Sequence, residues 1–227
     1  MQLTFAITAA DGTRTLAVAI DHFVIAGWAG RDAAAIEHHI EELAEIGVPR
    51  PSAVPLFYRV AANQLTQDDT VQVVGPDSSG EVEVLLFSHG GRSYVSLTSD
   101  HTDRKLEAHS VALSKQLCAK PVAREAWPLE EVLDHWDSLR IVASIVEGGR
   151  EVTYQDGTLD TLRDVRDLAL RHCGHEQLPE GMAMSCGTVA VRGGIRPANV
   201  FSMALIDERL GRRLAHRYTV ECLPVVA

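Results

Sequence analysis

Glu81-Val82-Glu83 stands inside a strongly β-prone run, Glu-Val-Glu-Val-Leu-Leu-Phe. Residues two apart on a strand project from the same face, so the two carboxylates point the same way. Like charges side by side are unfavourable unless something offsets them, and a divalent cation would. The next β-prone run, Ser93 to Thr98, leads into Ser99-Asp100-His101-Thr102-Asp103-Arg104. If the two runs pair antiparallel, Asp100 falls near the level of Glu81 and Glu83. Three carboxylates with waters suit a hard ion such as Mg²⁺, Mn²⁺ or Ca²⁺. Zinc would recruit more His or Cys. The alternative is a solvated sheet face that carries two glutamates and binds nothing.

A second group could move protons. Glu37-His38-His39-Ile40-Glu41-Glu42 holds two overlapping His-x-x-Glu pairs, and residues three apart on a helix are neighbours. With Ile36 on the buried stripe, His39 lies about 60° and Glu42 about 120° away, while His38 and Glu41 face outward. A Glu beside a His orients the imidazole and raises its basicity, as general-base attack by water requires. The alternative is an exposed acidic helix with incidental histidines.

These groups need elements to hold them. Residues 3–9 and 15–20 read as strands around an Ala10-Asp11-Gly12 turn, a small N-terminal hairpin. A helix is expected over 32–47, with Asp32 as cap, Gly47 as stop and Ile36, Ile40 and Leu43 as its apolar stripe. Strands follow at 55–60, 70–74, 80–88 and 92–98. A helix is expected over 102–117 and a short one over 128–136. A hairpin around Gly148-Gly149, a helix over 159–173 and strands from 181 onward complete the chain. This order predicts a single α+β domain over 1–227, with a mixed, partly barrel-like β core and peripheral helices.

Composition narrows the function. The chain has 227 residues, 46% hydrophobic and 23% charged, enough to bury a core without staples. A net charge of −10 without a basic run disfavours nucleic acid, though a small anionic substrate remains compatible with a locally positive pocket. Cys118, Cys173, Cys186 and Cys222 form no C-x-x-C pair. With no signal-like start and no long apolar run, a reduced, cytoplasmic, non-membrane protein is expected. There is no Gly-x-Ser-x-Gly elbow and no phosphate-binding loop. Cys118 and Cys186 read as buried thiols.

Four motifs in order resemble the fumarylacetoacetate hydrolase superfamily over about residues 28–190. Val54-Pro55-Leu56-Phe57-Tyr58-Arg59 is similar to its Pro-x-x-Phe-x-Lys segment, and Glu81-x-Glu83 to its metal pair. Asp100-His101-Thr102-Asp103-Arg104 is similar to its Asn-Asp-Val-Thr-Ala-Arg segment, whose Asp is the third ligand. Cys186-Gly187-Thr188 is similar to its Thr-Gly-Thr turn. The chain also resembles a bacterial subgroup, the DUF2848 family. Ser99, His101, Asp103, Glu107 and Arg59 depart from the superfamily pattern around a kept ligand set.

The resemblance implies a metal-dependent hydrolase that cleaves a carbon–carbon bond in a 2-oxo or diketo acid through a metal-bound enolate. It assigns the metal to Glu81, Glu83 and Asp100, with Mg²⁺ or Mn²⁺ as the ion. His39, supported by Glu42, would activate water. Lys120 fits the superfamily's lysine offset and would stabilise the enolate, with Lys115 the alternative and otherwise a solvated helix residue. Arg59, Glu107 and Thr188 would hold the substrate. Decarboxylases, hydratases and isomerases use the same site, and a non-enzymatic binding protein is the third possibility. The superfamily also implies a homodimer.

Overall fold

In the computed structural model, which describes residues 1–10, 12–45 and 50–226, the alternation of buried and exposed residues resolves into two large sheets. The side chains of His39, Glu42, Leu43 and Glu45 also lie outside the described residues. Strands β1 (Gln2–Ala9) and β2 (Gly12–Ala19) form the expected hairpin. β3 (His22–Gly27) follows, then α1 (Ala33–Glu45), where Asp32 accepts the Ala34 and Ala35 amides at 2.9 and 3.1 Å. The expected stop, Gly47, lies outside the described residues.

The middle of the chain supplies β4 (Leu56–Val60), β5 (Leu65–Thr66), β6 (Thr70–Val74), β7 (Ser78–Ser79), β8 (Val82–His89), β9 (Arg92–Ser99) and β10 (Thr102–Asp103). The helix expected over 102–117 is instead two, α2 (Arg104–Glu107) and α3 (Val111–Leu117). Each has its own cap, because Asp103 accepts the Leu106 amide at 2.8 Å and Ser110 the Leu113 amide at 3.4 Å. β11 (Lys120–Pro121) and β12 (Glu125–Pro128) come next. The short helix expected over 128–136 is two 3₁₀ turns, Leu129–Glu131 and Leu133–Ser138. The backbone breaks at His135, whose ring is drawn between Asp134 and Asp207.

β13 (Arg140–Glu147) and β14 (Arg150–Thr158) form the hairpin around the two glycines. The expected helix over 159–173 begins late, as α4 (Val165–Cys173), where Asp164 caps the Arg166 amide at 2.8 Å. β15 (Met182–Ser185), β16 (Val200–Asp207) and β17 (Arg212–Leu223) close the chain.

The larger sheet has the order β2-β1-β12-β9-β8-β15-β3-β4, and the smaller β14-β13-β16-β17-β6. The N-terminal hairpin is therefore part of the main sheet, joined to it by the parallel β1–β12 pair. Both sheets are open. The larger one is strongly curled: β1 and β8 are three positions apart, about 14 Å in a flat sheet, yet Phe5 and Phe87 stack with centroids 4.5 Å apart. Its concave face packs on itself through Phe5, Phe23, Ile25, Leu85 and Phe87. Its other face packs on the smaller sheet, where Val82, Val84 and Val95 meet Ile141, Phe201 and Leu205. Among the described residues no helix is long and apolar enough to cross a membrane.

Candidate metal centre

The antiparallel pair β8–β9 has Val82 opposite Ser99 and Glu83 opposite Thr98. Just beyond its end the Asp100 amide donates to the Glu81 carbonyl at 2.9 Å. Asp100 therefore lies at the level of the two glutamates, as strand periodicity predicts. One carboxylate oxygen from each of Glu81, Glu83 and Asp100 lies within 4.8 Å of the others. Glu83 shares its face with Leu85 and Phe87, inside the curl, and is 3% exposed; Asp100 is 1% exposed. The solvated-face alternative does not describe these side chains.

Three carboxylates out of water need compensation. Lys115 and Lys120 both pair with Asp100, Lys120 at 3.0 Å. Burial alone would raise the Asp100 pKa, but the two ammoniums overcome it and hold the group well below the usual carboxylate range. Arg104 Nη2 lies 3.0 Å from Glu81, and its Nη1 donates to Glu107 at 2.9 Å. Burial nonetheless keeps the Glu81 pKa raised. Glu83 is different. It accepts from the Ser185 hydroxyl and from the Gly187 amide at 2.9 Å, and among the described residues no basic side chain pairs with it. Burial, together with the nearby Asp100 charge, pushes it up to about 8. Without a further cation Glu83 holds a proton at neutral pH.

The other sequence candidates fall unevenly around this cluster. Lys120 is fully buried and donates to the His101 carbonyl as well as to Asp100. Lys115 is not the solvated helix residue expected, because the short α3 turns it inward to Asp100, 7% exposed and 5.6 Å from the Tyr58 ring centroid. Glu107 reaches the cluster through Arg104. The Thr188 hydroxyl is occupied: it donates to the Val82 carbonyl at 2.6 Å and accepts from Gln155 at 2.7 Å. Arg59 alternates with Tyr58 on β4 and is exposed on the other face, near His172. His39 and Glu42 are carried by α1, but their side chains lie outside the described residues.

Several residues that build the site carry no local sequence signal. Gln155 accepts the Val82 amide at 3.0 Å and donates to Thr188 and the Val189 carbonyl, fixing the start of β8 against the 186–189 turn. Gly187 has φ +89°, and a Cβ there would lie 2.7 Å from Ala29 Cβ. Only glycine brings its amide to Glu83 without strain. Tyr218 reaches in from β17 to Ser99 at 2.8 Å and His101 at 2.9 Å. The buried His101 ring is pushed down to about 3 by burial and by Lys120 and Arg104, so it is neutral.

The donor set fits a hard divalent cation. Two oxygens on one ion, each at about 2.1–2.4 Å, lie at most about 4.2–4.8 Å apart. The cluster spans that distance, and Glu83 offers the uncompensated charge.

The sequence matches, over residues 26–218, the family described as "Protein of unknown function (DUF2848)". No curated protein sequence matches the chain. Among solved structures, a hexagonal crystal form of 2-keto-3-deoxyarabinonate dehydratase aligns with TM-score 0.66 and 14% identity over 93% of this chain and 78% of that one. 2-Keto-3-deoxy-D-arabinonate dehydratase complexed with magnesium and 2,5-dioxopentanoate gives TM-score 0.62 and 13% identity over 95% and 78%. 4-Oxalocrotonate decarboxylase from Pseudomonas putida G7, complexed with calcium and acetate, gives TM-score 0.53 and 19% identity over 87% and 76%. The chain shares the fold of these dehydratase and decarboxylase structures.

Proposed function

This chain belongs to the DUF2848 family, and on that premise we propose that it is a divalent-metal-dependent enzyme that breaks a carbon–carbon or carbon–oxygen bond in a 2-oxo acid. The observation that carries the reading is Glu83, a buried carboxylate in a triad with Asp100 and Glu81 that has no basic partner of its own among the described residues. Glu81, Glu83 and Asp100 would hold Mg²⁺ or Mn²⁺, which supplies a Lewis acid for a 2-oxo-carboxylate. Magnesium and calcium in two proteins of this fold support a hard ion.

The chain's own residues then divide the work. Lys120, sealed on Asp100 and the His101 carbonyl, positions the ligand loop. Lys115, at the rim of the cluster, is the better-placed ammonium to hold negative charge developing on the substrate. Arg104, bridged between Glu81 and Glu107, orients Glu81. His39 with Glu42 is the water-activating pair that hydrolysis requires. Dehydration and decarboxylation add no water, and a dehydratase and a decarboxylase share this fold, which supports lyase chemistry as the second reading.

The test is a screen of 2-oxo and diketo acids with Mg²⁺ or Mn²⁺, reading products by mass. Hydrolysis yields two fragments with water added, and His39→Ala abolishes it. A lyase loses CO₂ or water and tolerates that substitution. The reading fails if no acid turns over and the parent and Glu83→Ala respond identically to both ions in thermal unfolding. We also propose a small anionic substrate and a reducing, cytoplasmic setting, supported by four free cysteines. A homodimer is supported by half-buried Val142, Ala204 and Ile206 on the outer face of β13 and β16.

A further inference from the structure

Four side chains that the proposed chemistry does not use form one continuous hydrogen-bonded chain behind the carboxylates. The Glu81 amide donates to Ser99 Oγ at 3.3 Å. Ser99 Oγ meets Tyr218 Oη at 2.8 Å, Tyr218 Oη meets His101 Nδ1 at 2.9 Å, and His101 Nε2 meets Ser78 Oγ at 2.9 Å. All four are 4% exposed or less, so none of these groups is satisfied by bulk water. Run from Ser99 through Tyr218 to His101, the chain leaves no stranded hydroxyl proton on fully buried Ser99. The spare proton falls on Ser78, the most exposed of the four.

The chain joins three separate segments. Ser78 and the Glu81 amide belong to the approach to β8, Ser99 and His101 flank Asp100, and Tyr218 comes from the smaller sheet. Its access depends on Gly80, where a Cβ would lie 2.5 Å from Tyr218 Oη and 2.9 Å from the Phe201 ring. The hydroxyl thus sits against the residue that precedes Glu81, one hydrogen bond from each neighbour of Asp100.

We propose that Tyr218 is a positioning residue for the carboxylate centre: through Ser99 and His101 its hydroxyl fixes the two segments that carry Glu81 and Asp100 in the register a metal requires. The inference rests on the metal reading above and adds to it a residue from the other sheet. Tyr218 is fully buried and its hydroxyl bonds to Ser99 and His101 and to none of the three carboxylates, so its effect is on the geometry of the ligands.

The test is Mn²⁺ binding by isothermal titration calorimetry, with thermal unfolding of the metal-free proteins alongside. Tyr218→Phe keeps the ring and removes the hydroxyl; Ser99→Ala breaks the same chain if Tyr218→Phe does not fold. Each should weaken Mn²⁺ binding about tenfold, and the double variant should be no weaker than the worse single one. A remote core truncation on β13, Ile145→Val, should lower the unfolding midpoint and leave Mn²⁺ affinity unchanged. Unchanged affinity in Tyr218→Phe and Ser99→Ala, with the parent binding normally, overturns this proposal alone. Additive losses, or an equal loss in Ile145→Val, overturn it as well. A parent that binds neither Mn²⁺ nor Mg²⁺ overturns both it and the metal reading.

Discussion

Glu83 gives the most demanding quantitative test. A carboxyl moved from 4.5 to about 8 has its ionised form destabilised by about 5 kcal/mol in the metal-free fold, at about 1.4 kcal/mol for each tenfold change in acidity. Because the folded value is raised, the stabilising contribution is fully present below 4.5 and is lost as pH rises through about 8. The metal-free protein should therefore lose thermal stability from about pH 5 to about pH 8. Asp100 has the opposite sign, but its contribution fades only below its ordinary 3.8, outside that window. A cation that binds ionised Glu83 must expel the proton that burial holds there at neutral pH. The apparent affinity should rise about tenfold between about pH 6 and 7 and level off above about pH 9. Calorimetry in buffers of different ionisation enthalpy reads both the affinity and the released proton. Glu83→Gln should remove the metal response and, in the metal-free protein, flatten the pH slope of stability, leaving the part of the same sign that Glu81, also raised by burial, contributes. Affinity that is flat from pH 6 to 8, or binding without proton release, would refute the argument that burial holds Glu83 protonated.

Two further substitutions probe the surroundings of the triad. Gly187→Ala forces a side chain into a left-handed backbone, with its Cβ 2.7 Å from that of Ala29, and should cost about 3 kcal/mol in urea unfolding. An unchanged midpoint would show that the turn relaxes without cost. Glu107→Gln leaves Arg104 with Glu81 as its one carboxylate partner among the described residues. Glu107 is 29% exposed, so screening limits the gain to about 1 kcal/mol, or about fivefold tighter binding of oxalate relative to pyruvate in a Mn²⁺ competition assay. No change in that ratio would remove Glu107 from the binding region.

The triad was legible because its signal is local. The period-two alternation of Glu81 and Glu83 and the Gly90-Gly91 turn are enough to set the β8–β9 register that brings Asp100 alongside. β3 is absent from the elements expected above, although Phe23-Val24-Ile25-Ala26 is a continuous apolar run bounded by His22 and Gly27, the pattern of a strand buried on both faces. The broken helix had a larger consequence. One helix over 102–117 gives Lys115 a solvated position, whereas the Ser110 cap starts a new helix whose inner face carries that lysine to Asp100. Tyr218 lies 119 residues from Ser99, and Ser185 lies 102 from Glu83. Contacts at that separation leave no periodicity to read, and only the packing of one sheet on the other creates them.

The pattern of pairing separates a structural role for the cluster from a binding one. A buried acidic group kept only for the fold is expected to have its charge matched, since an unmatched buried carboxylate costs several kcal/mol. Asp100 has two ammoniums, and Glu81 has a guanidinium that it shares with Glu107, so each of these two carboxylates has a cationic partner within the chain. Glu83 is given a hydroxyl and a backbone amide, which orient its oxygens without neutralising them. Hydrogen bonds of that kind fix a ligand's direction, and the charge left over is what a cation adds to. Replacing Glu83 with glutamine should therefore cost the metal-free fold little or even stabilise it at pH 8, while abolishing ion binding. A strongly destabilised Glu83→Gln protein at that pH would place the carboxylate in the structural class instead.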